Sequence, residues 1–148
     1  MNPLEGQSLL QLQEQLRHVK YILIDEMSFT GPTMLSQIDA RLQQAFPSHS
    51  NSPFGGRSII LVGNVRQLPP VKDNPMYVGM SHGNALWRSF DTIVTLSISF
   101  RQQGDTPDQI AFRKLLANLI NATPTMEDWN LLMTRTDSNL SHEELQTF

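Results

Sequence analysis

Four side chains have the types and the order that phosphate chemistry uses: Asp25, Glu26, Gln67 and Arg101. Asp25 and Glu26 close the stretch "YILIDEMS", where an apolar run meets two adjacent carboxylates. An unpaired carboxylate buried at the end of a strand is very costly, so two of them there ask for a task. A hard divalent cation takes carboxylate oxygens. A group that orients attacking water, and an arginine that meets developing phosphoryl charge, complete the parts of a nucleoside triphosphate site. Gln67 follows a second apolar run, "IILV", and Arg101 follows a third, "TIVTLSIS". Each residue alone also has an ordinary reading. The acids suit a solvated strand end, Gln67 a loop, and Arg101 a surface position or the C-terminal cap of a helix. "LPP", residues 68–70, suits a rigid turn. The order and spacing of the set carry more weight than any member.

The elements that must position these residues alternate between helix and strand. Leu9, Leu12 and Leu16 recur at helical spacing within residues 8–18. "YILID" then reads as a strand. Met34, Leu35, Ile38, Leu42 and Phe46 form one apolar stripe, which predicts an amphipathic helix over 33–46. "PSHSNSPFGG" reads as a loop, "RSIILVGN" as a second strand, and residues 65–83 as irregular. The β-branched residues of 92–99 predict a third strand. "TPDQ" sets Thr106 as an N-cap, with Pro107 at the first helical position and Gln109 completing a capping box. "TMED" is a weaker start signal for "EDWNLLMTR", and the tail from Thr136 is polar, with "SHEE" as a possible cap for a last short helix. Strands separated by helices predict an α/β fold with a mostly parallel sheet flanked by helices. Ligands of such sheets bind outside the carboxyl ends of the strands, where all four residues fall.

Composition narrows the classes. A chain of 148 residues suits one domain with a real core, expected over 1–148 with a polar tail at 136–148. The apolar runs are too short for a membrane span, and "MNPLEGQSLL" does not read as a secretory signal. With no cysteine, disulfides and thiolate metal sites are excluded, which fits an intracellular protein. A net charge of −3 means that an anionic partner must be held by a local patch.

With these motifs in place, the sequence resembles the PIF-type DNA helicases of superfamily 1, subgroup B, which include the Helitron helicases. "YILIDEMS" resembles their Walker B motif. "PFGGRSIILVGNVRQLPPV" resembles the approach to motif III, and "LSISFRQQGD" resembles motif IV. The similarity runs over roughly 8–135. It implies a partial RecA-like P-loop NTPase domain of an enzyme that couples ATP hydrolysis to 5′-to-3′ movement on single-stranded DNA and to duplex unwinding. It further implies that Asp25 holds Mg²⁺ through water and that Glu26 orients or activates the attacking water. Gln67 would sense the γ-phosphate, and Arg101 would contact that phosphate and stabilise transition-state charge. The implied partners are ATP and single-stranded and duplex DNA. The implied setting is the nucleus, with the mitochondrion as the second eukaryotic site.

Two departures qualify this resemblance. Asn64 stands where the family's motif III carries aspartate. No GxxxxGK followed by Ser or Thr occurs, and the lysines are Lys20, Lys72 and Lys114. That loop supplies the backbone N–H groups, the lysine and the hydroxyl of the phosphate site. The expectation is therefore a fragment, the later part of a first motor domain, inactive by itself. The alternative is a non-catalytic α/β binding module derived from such a helicase. The basic residues form no run, so the footprint of a standalone nucleic-acid binder is missing. Phe54, Tyr77, His82 and Trp87 are candidate base-contacting groups, with core packing favoured for Trp87. "SIILVG" is apolar on both faces, as a buried parallel strand would be. Left as an uncovered edge it is expected to promote self-association or a partly molten state.

Overall fold

The computed structural model describes residues 2–98, 100 and 102–136. Contacts divide the chain into two compact units, Met1–Ile93 and Val94–Phe148.

In the first unit, helix α1 (Gly6–Leu16) carries the predicted leucines, and Leu12 and Leu16 pack on the core. Strand β1 (Tyr21–Ile24) follows, then helix α2 (Pro32–Ala45) and strand β2 (Ser58–Leu61). Proline at the first position of α2 loses no hydrogen bond, because that N–H has no helical partner. Most of the predicted stripe faces inward: Leu35 and Leu42 are buried, with Phe46 just beyond the helix, and Ile38 packs on the core, whereas Met34 is half exposed; Ala45 joins the buried face. Phe54, Met76 and Leu86 complete the cluster. Full burial of each large apolar side chain is worth about 1.5–3 kcal/mol.

The two strands pair in parallel, Tyr21 with Ser58 through Ile24 with Leu61, so α2 is a βαβ crossover. Ile22, Ile59 and Leu61 on the inner face pack against the core. The outer face departs from the expectation of a strand buried on both sides. Tyr21 is 70% exposed and Leu23 62%, because none of the described residues covers them. At the entrance to β2, the Arg57 guanidinium stacks 4.2 Å above the Phe46 ring and donates to Val19 O at 3.2 Å.

The loop between α2 and β2 is anchored rather than free. Phe54 is buried at a left-handed φ of 54°, and its N–H donates to Asp39 Oδ1 on α2 at 2.6 Å. After β2 the backbone runs irregularly, as predicted, to helix α3 (His82–Arg88). Ser81 and Asn84 form a capping box there. The buried Asn84 amide also donates to Met76 O at 2.7 Å and to Val78 O at 2.8 Å, which fixes the irregular segment. Gly83 is required by close approach, since a Cβ would run into the Pro32 carbonyl.

The predicted third strand does not form. Residues 92–98 carry no strand, with Ile93 88% and Leu96 86% exposed. β-branched composition reports fitness for a pleated surface, but a strand exists only through pairing, and none of the described residues pairs with this segment.

In the second unit, helix α4 (Pro107–Ile120) begins on the predicted Thr106–Gln109 capping box. Helix α5 (Met126–Met133) begins on a second box, Thr125 with Asp128, and Leu115 is the buried apolar residue of α4. The carboxylate of Asp128 accepts from Asn118 Nδ2, from Thr125 N and from Thr125 Oγ1 at 2.8–2.9 Å. These donors, the Asn118 amide first, hold its pKa below the ordinary carboxylate value against the opposing effect of burial. The predicted cap at "SHEE" lies outside the described residues.

Candidate functional site

The hydrogen-bond ladder of the sheet continues past both strands. Val62 N donates to Ile24 O at 2.8 Å, and Met27 N donates to Val62 O at 2.9 Å. Asp25 and Glu26 sit between these bonds, both exposed. The costly burial feared from the sequence is thus avoided: the sheet presents the acids at its rim. Asp25 Oδ1 accepts the Glu26 N–H at 2.8 Å. Glu26 adopts φ 51° and ψ 48°, a left-handed conformation that disfavours a side chain by roughly 1–2 kcal/mol and concentrates at functional sites. A 3-10 turn, Met27–Phe29, follows.

Gly63, at the end of β2, is seated on this turn. Its φ is 144°, and a Cβ there would stand 2.8 Å from Met27 N. Asn64 then folds the chain back. Its Oδ1 accepts the Arg66 N–H at 3.0 Å, and its carbonyl accepts the Gln67 N–H at 3.1 Å. Asparagine and aspartate share that acceptor, so the turn survives the departure noted at this position, and the lost charge is the remaining difference. The fold of the turn brings Gln67 to Glu26. The two line one open concavity with Phe29, Arg66, Leu68 and Pro69. A small cavity of about 30 Å³ lies beside it, lined by residues that include Ser28, Thr30, Gln67 and Tyr77. That volume suits a water molecule, not a nucleotide.

Of the sequence-predicted residues, Asp25, Glu26 and Gln67 thus gather at the ends of β1 and β2. Arg101 lies outside the described residues. Among the described residues no three His, Cys, Asp or Glu side chains cluster as an all-protein metal cage would need. Of the aromatic candidates, Phe54 is buried and Trp87 packs on the core and on Phe90, with ring centroids 6.2 Å apart. His82 Nε2 lies 2.9 Å from Asp39 Oδ2. Tyr77 remains more than half exposed. The sequence reading missed Arg66 and Phe29, although a basic residue directly before Gln67 was a visible signal.

This α/β arrangement is that of a RecA-like helicase motor. It superposes on Pif1 from Bacteroides, solved in complex with ADP-AlF3 and ssDNA, with a TM-score of 0.63 and 26% identity, over 97% of this chain and 34% of that one. A structure of two coordinating Pif1 helicases unwinding forked dsDNA gives a TM-score of 0.66 at 27% identity, over 94% of this chain and 34% of that one. The family pattern described as PIF1-like helicase matches residues 6–130. The chain belongs to the PIF1-like helicases. Similar curated proteins include the ATP-dependent DNA helicase PIF5 of Trypanosoma brucei brucei, 28% identical over 84% of this chain and 16% of that protein. The ATP-dependent DNA helicase RRM3 of Saccharomyces cerevisiae is 31% identical over 66% of this chain and 14% of that protein. The chain therefore corresponds to a small share of the length of these relatives. No helix among the described residues is long and apolar enough to cross a membrane.

Proposed function

We propose that the chain is part of the motor of an ATP-dependent DNA helicase, and that the concavity at the ends of β1 and β2 faces the nucleotide. The observation that carries this reading is the convergence of Glu26 and Gln67 on one exposed concavity from two different strand ends. The relatives named as ATP-dependent DNA helicases support ATP and DNA, single-stranded and duplex, as partners.

In this reading the Glu26 carboxylate, exposed and accepting no hydrogen bond among the described residues, orients and deprotonates the attacking water. The Gln67 amide offers both a donor and an acceptor, so it reads the terminal phosphate and reports its loss to the loop that ends in Pro69 and Pro70. Arg101 meets the charge that develops on that phosphate, a role assigned from its place after Phe100 in the sequence. The donor set fits a magnesium ion: Asp25 keeps one carboxylate oxygen clear of its bond to Glu26 N, and Mg²⁺ favours one or two carboxylates completed by phosphates and water. When bound, the ion would neutralise phosphate charge. DNA-stimulated ATP turnover and duplex unwinding test the reading, in a protein joining these residues to a phosphate-binding loop and a second motor domain. Glu26→Gln is expected to lower kcat by about 10²–10⁴-fold with ATP binding retained. Unchanged turnover would overturn the assignment.

A further inference from the structure

Ser28 lies two residues beyond Glu26, and its hydroxyl oxygen is shielded from solvent without a hydrogen-bond partner among the described residues. Such a group destabilises a fold unless something satisfies it. Ser28 lines the cavity of about 30 Å³, and Gln67 lines it from the opposite loop. A polar cavity needs about 10–15 Å³ to hold a water, and a buried water needs two to four polar partners. Thr30, Gln67 and Tyr77 on the cavity wall carry polar groups in addition to Ser28.

We propose that Ser28 is a positioning residue, whose hydroxyl holds a water that bridges the acidic turn after β1 to the Gln67 loop after β2. The proposal rests on the reading of Glu26 and Gln67 given above. Its physical content is a second tie between the two strand ends, besides the Met27 N to Val62 O bond of 2.9 Å. With both ties present, a displacement of Gln67 is transmitted to the backbone that carries Glu26.

Hydrogen exchange on the full 148-residue chain tests this, together with a high-resolution crystal structure of it. The Gln67 amide, bonded to Asn64 O at 3.1 Å, reports opening of the loop. Ser28→Ala is expected to speed its exchange about fivefold, the effect of one lost hydrogen bond, and to leave amides of α4 unchanged. Ser28→Cys, of similar size but a weak donor, is expected to show a smaller acceleration, and it decides the matter if the alanine variant fails to fold. The crystal structure should hold a water within hydrogen-bond distance of Ser28 Oγ. Unchanged exchange in these variants, or no water at that oxygen, would overturn the proposal. None of these readouts needs catalysis. A bridging water together with unchanged turnover in Glu26→Gln would sink the catalytic reading alone, and a missing water together with lost turnover in Glu26→Gln would sink this one alone.

Discussion

The carboxylate of Asp39 accepts the backbone N–H of Phe54 at 2.6 Å, joining the middle of α2 to the left-handed residue that closes the crossover loop. The other oxygen accepts from Gln43 Nε2 at 3.0 Å and meets His82 Nε2 at 2.9 Å. Removing this buried acceptor strands a buried N–H. Asp39→Ala is therefore expected to destabilise the chain by about 2–4 kcal/mol. Thermal unfolding should show a Tm lowered by roughly 10 °C. Asp39→Asn keeps an acceptor and should lose less than half as much. Equal losses would mean that the charge, not the acceptor, holds the loop.

Asp73 makes a related tie at the start of α2. Its Oδ2 accepts the Thr33 N–H at 3.0 Å, and its Oδ1 accepts the Asn74 N–H at 2.8 Å. Burial pushes the Asp73 carboxyl up, but these donations and that of the Thr33 hydroxyl outweigh it and leave the pKa below 3.8. A depressed folded pKa contributes stability that is fully present above the unfolded value. It is lost as pH falls through the folded value. Tm measured from neutral pH downward should therefore fall below about pH 4, and Asp73→Asn should flatten part of that fall. A variant that follows the parent's profile throughout would show that the tie adds nothing.

The outer face of the sheet leads to a prediction about association. Tyr21, Leu23 and Ile60 lie exposed on one side of β1 and β2, and the edge of β2 that no other described residue pairs with carries no charge or proline. Such an edge invites pairing with another chain. The 148-residue chain is expected to self-associate, and Ile60→Lys to reduce that association. Light scattering across a concentration series reads both. A strictly monomeric parent chain would remove the basis for this expectation.

A further prediction concerns Arg101 and Asn64 in a protein carrying the whole motor. Arg101→Ala should lower turnover by about 10³-fold or more and weaken ATP binding much less, because in the proposed role the guanidinium meets charge that develops in the transition state. Comparable losses in kcat and in binding would assign it to the ground state. Asn64→Asp keeps the turn to Arg66 N and restores the family's charge, so turnover should rise while stability stays unchanged.

What could be read from the sequence was set by local rules. The helix over 107–120 was legible because Thr106, Pro107 and Gln109 form its cap within one turn. Helix α2 was legible from its stripe, and its ends shift by a single residue from the expected 33–46. The nearness of Glu26 to Gln67 followed from strand ends, and the two line one concavity, with Asp25 next to Glu26 in the chain. The strand expected at 92–99 failed because pairing is not a local property. The left-handed Glu26 and the shielded Ser28 hydroxyl were hidden, since both belong to a turn that packs on residues distant in sequence, Gly63 against Met27 and Gln67 across the cavity from Ser28. Asp39 did leave a signal that was passed over. It falls four residues after Leu35 on the apolar stripe, and a lone acid on a buried face asks for a partner.

The parallel pairing of Tyr21–Ile24 with Ser58–Leu61 has a kinetic consequence. Every contact between these strands closes a loop that contains the whole of α2, so the sheet gains nothing until that chain entropy has been spent. The α2 stripe and the Asp39 latch to Phe54 shorten the effective loop, which places them before the sheet in the order of events. Substitutions at Leu35 or Asp39 should therefore slow refolding, whereas Ile59→Val should chiefly speed unfolding. A chain emerging from the ribosome would then hold its crossover helix and anchored loop before its acids reach their rim.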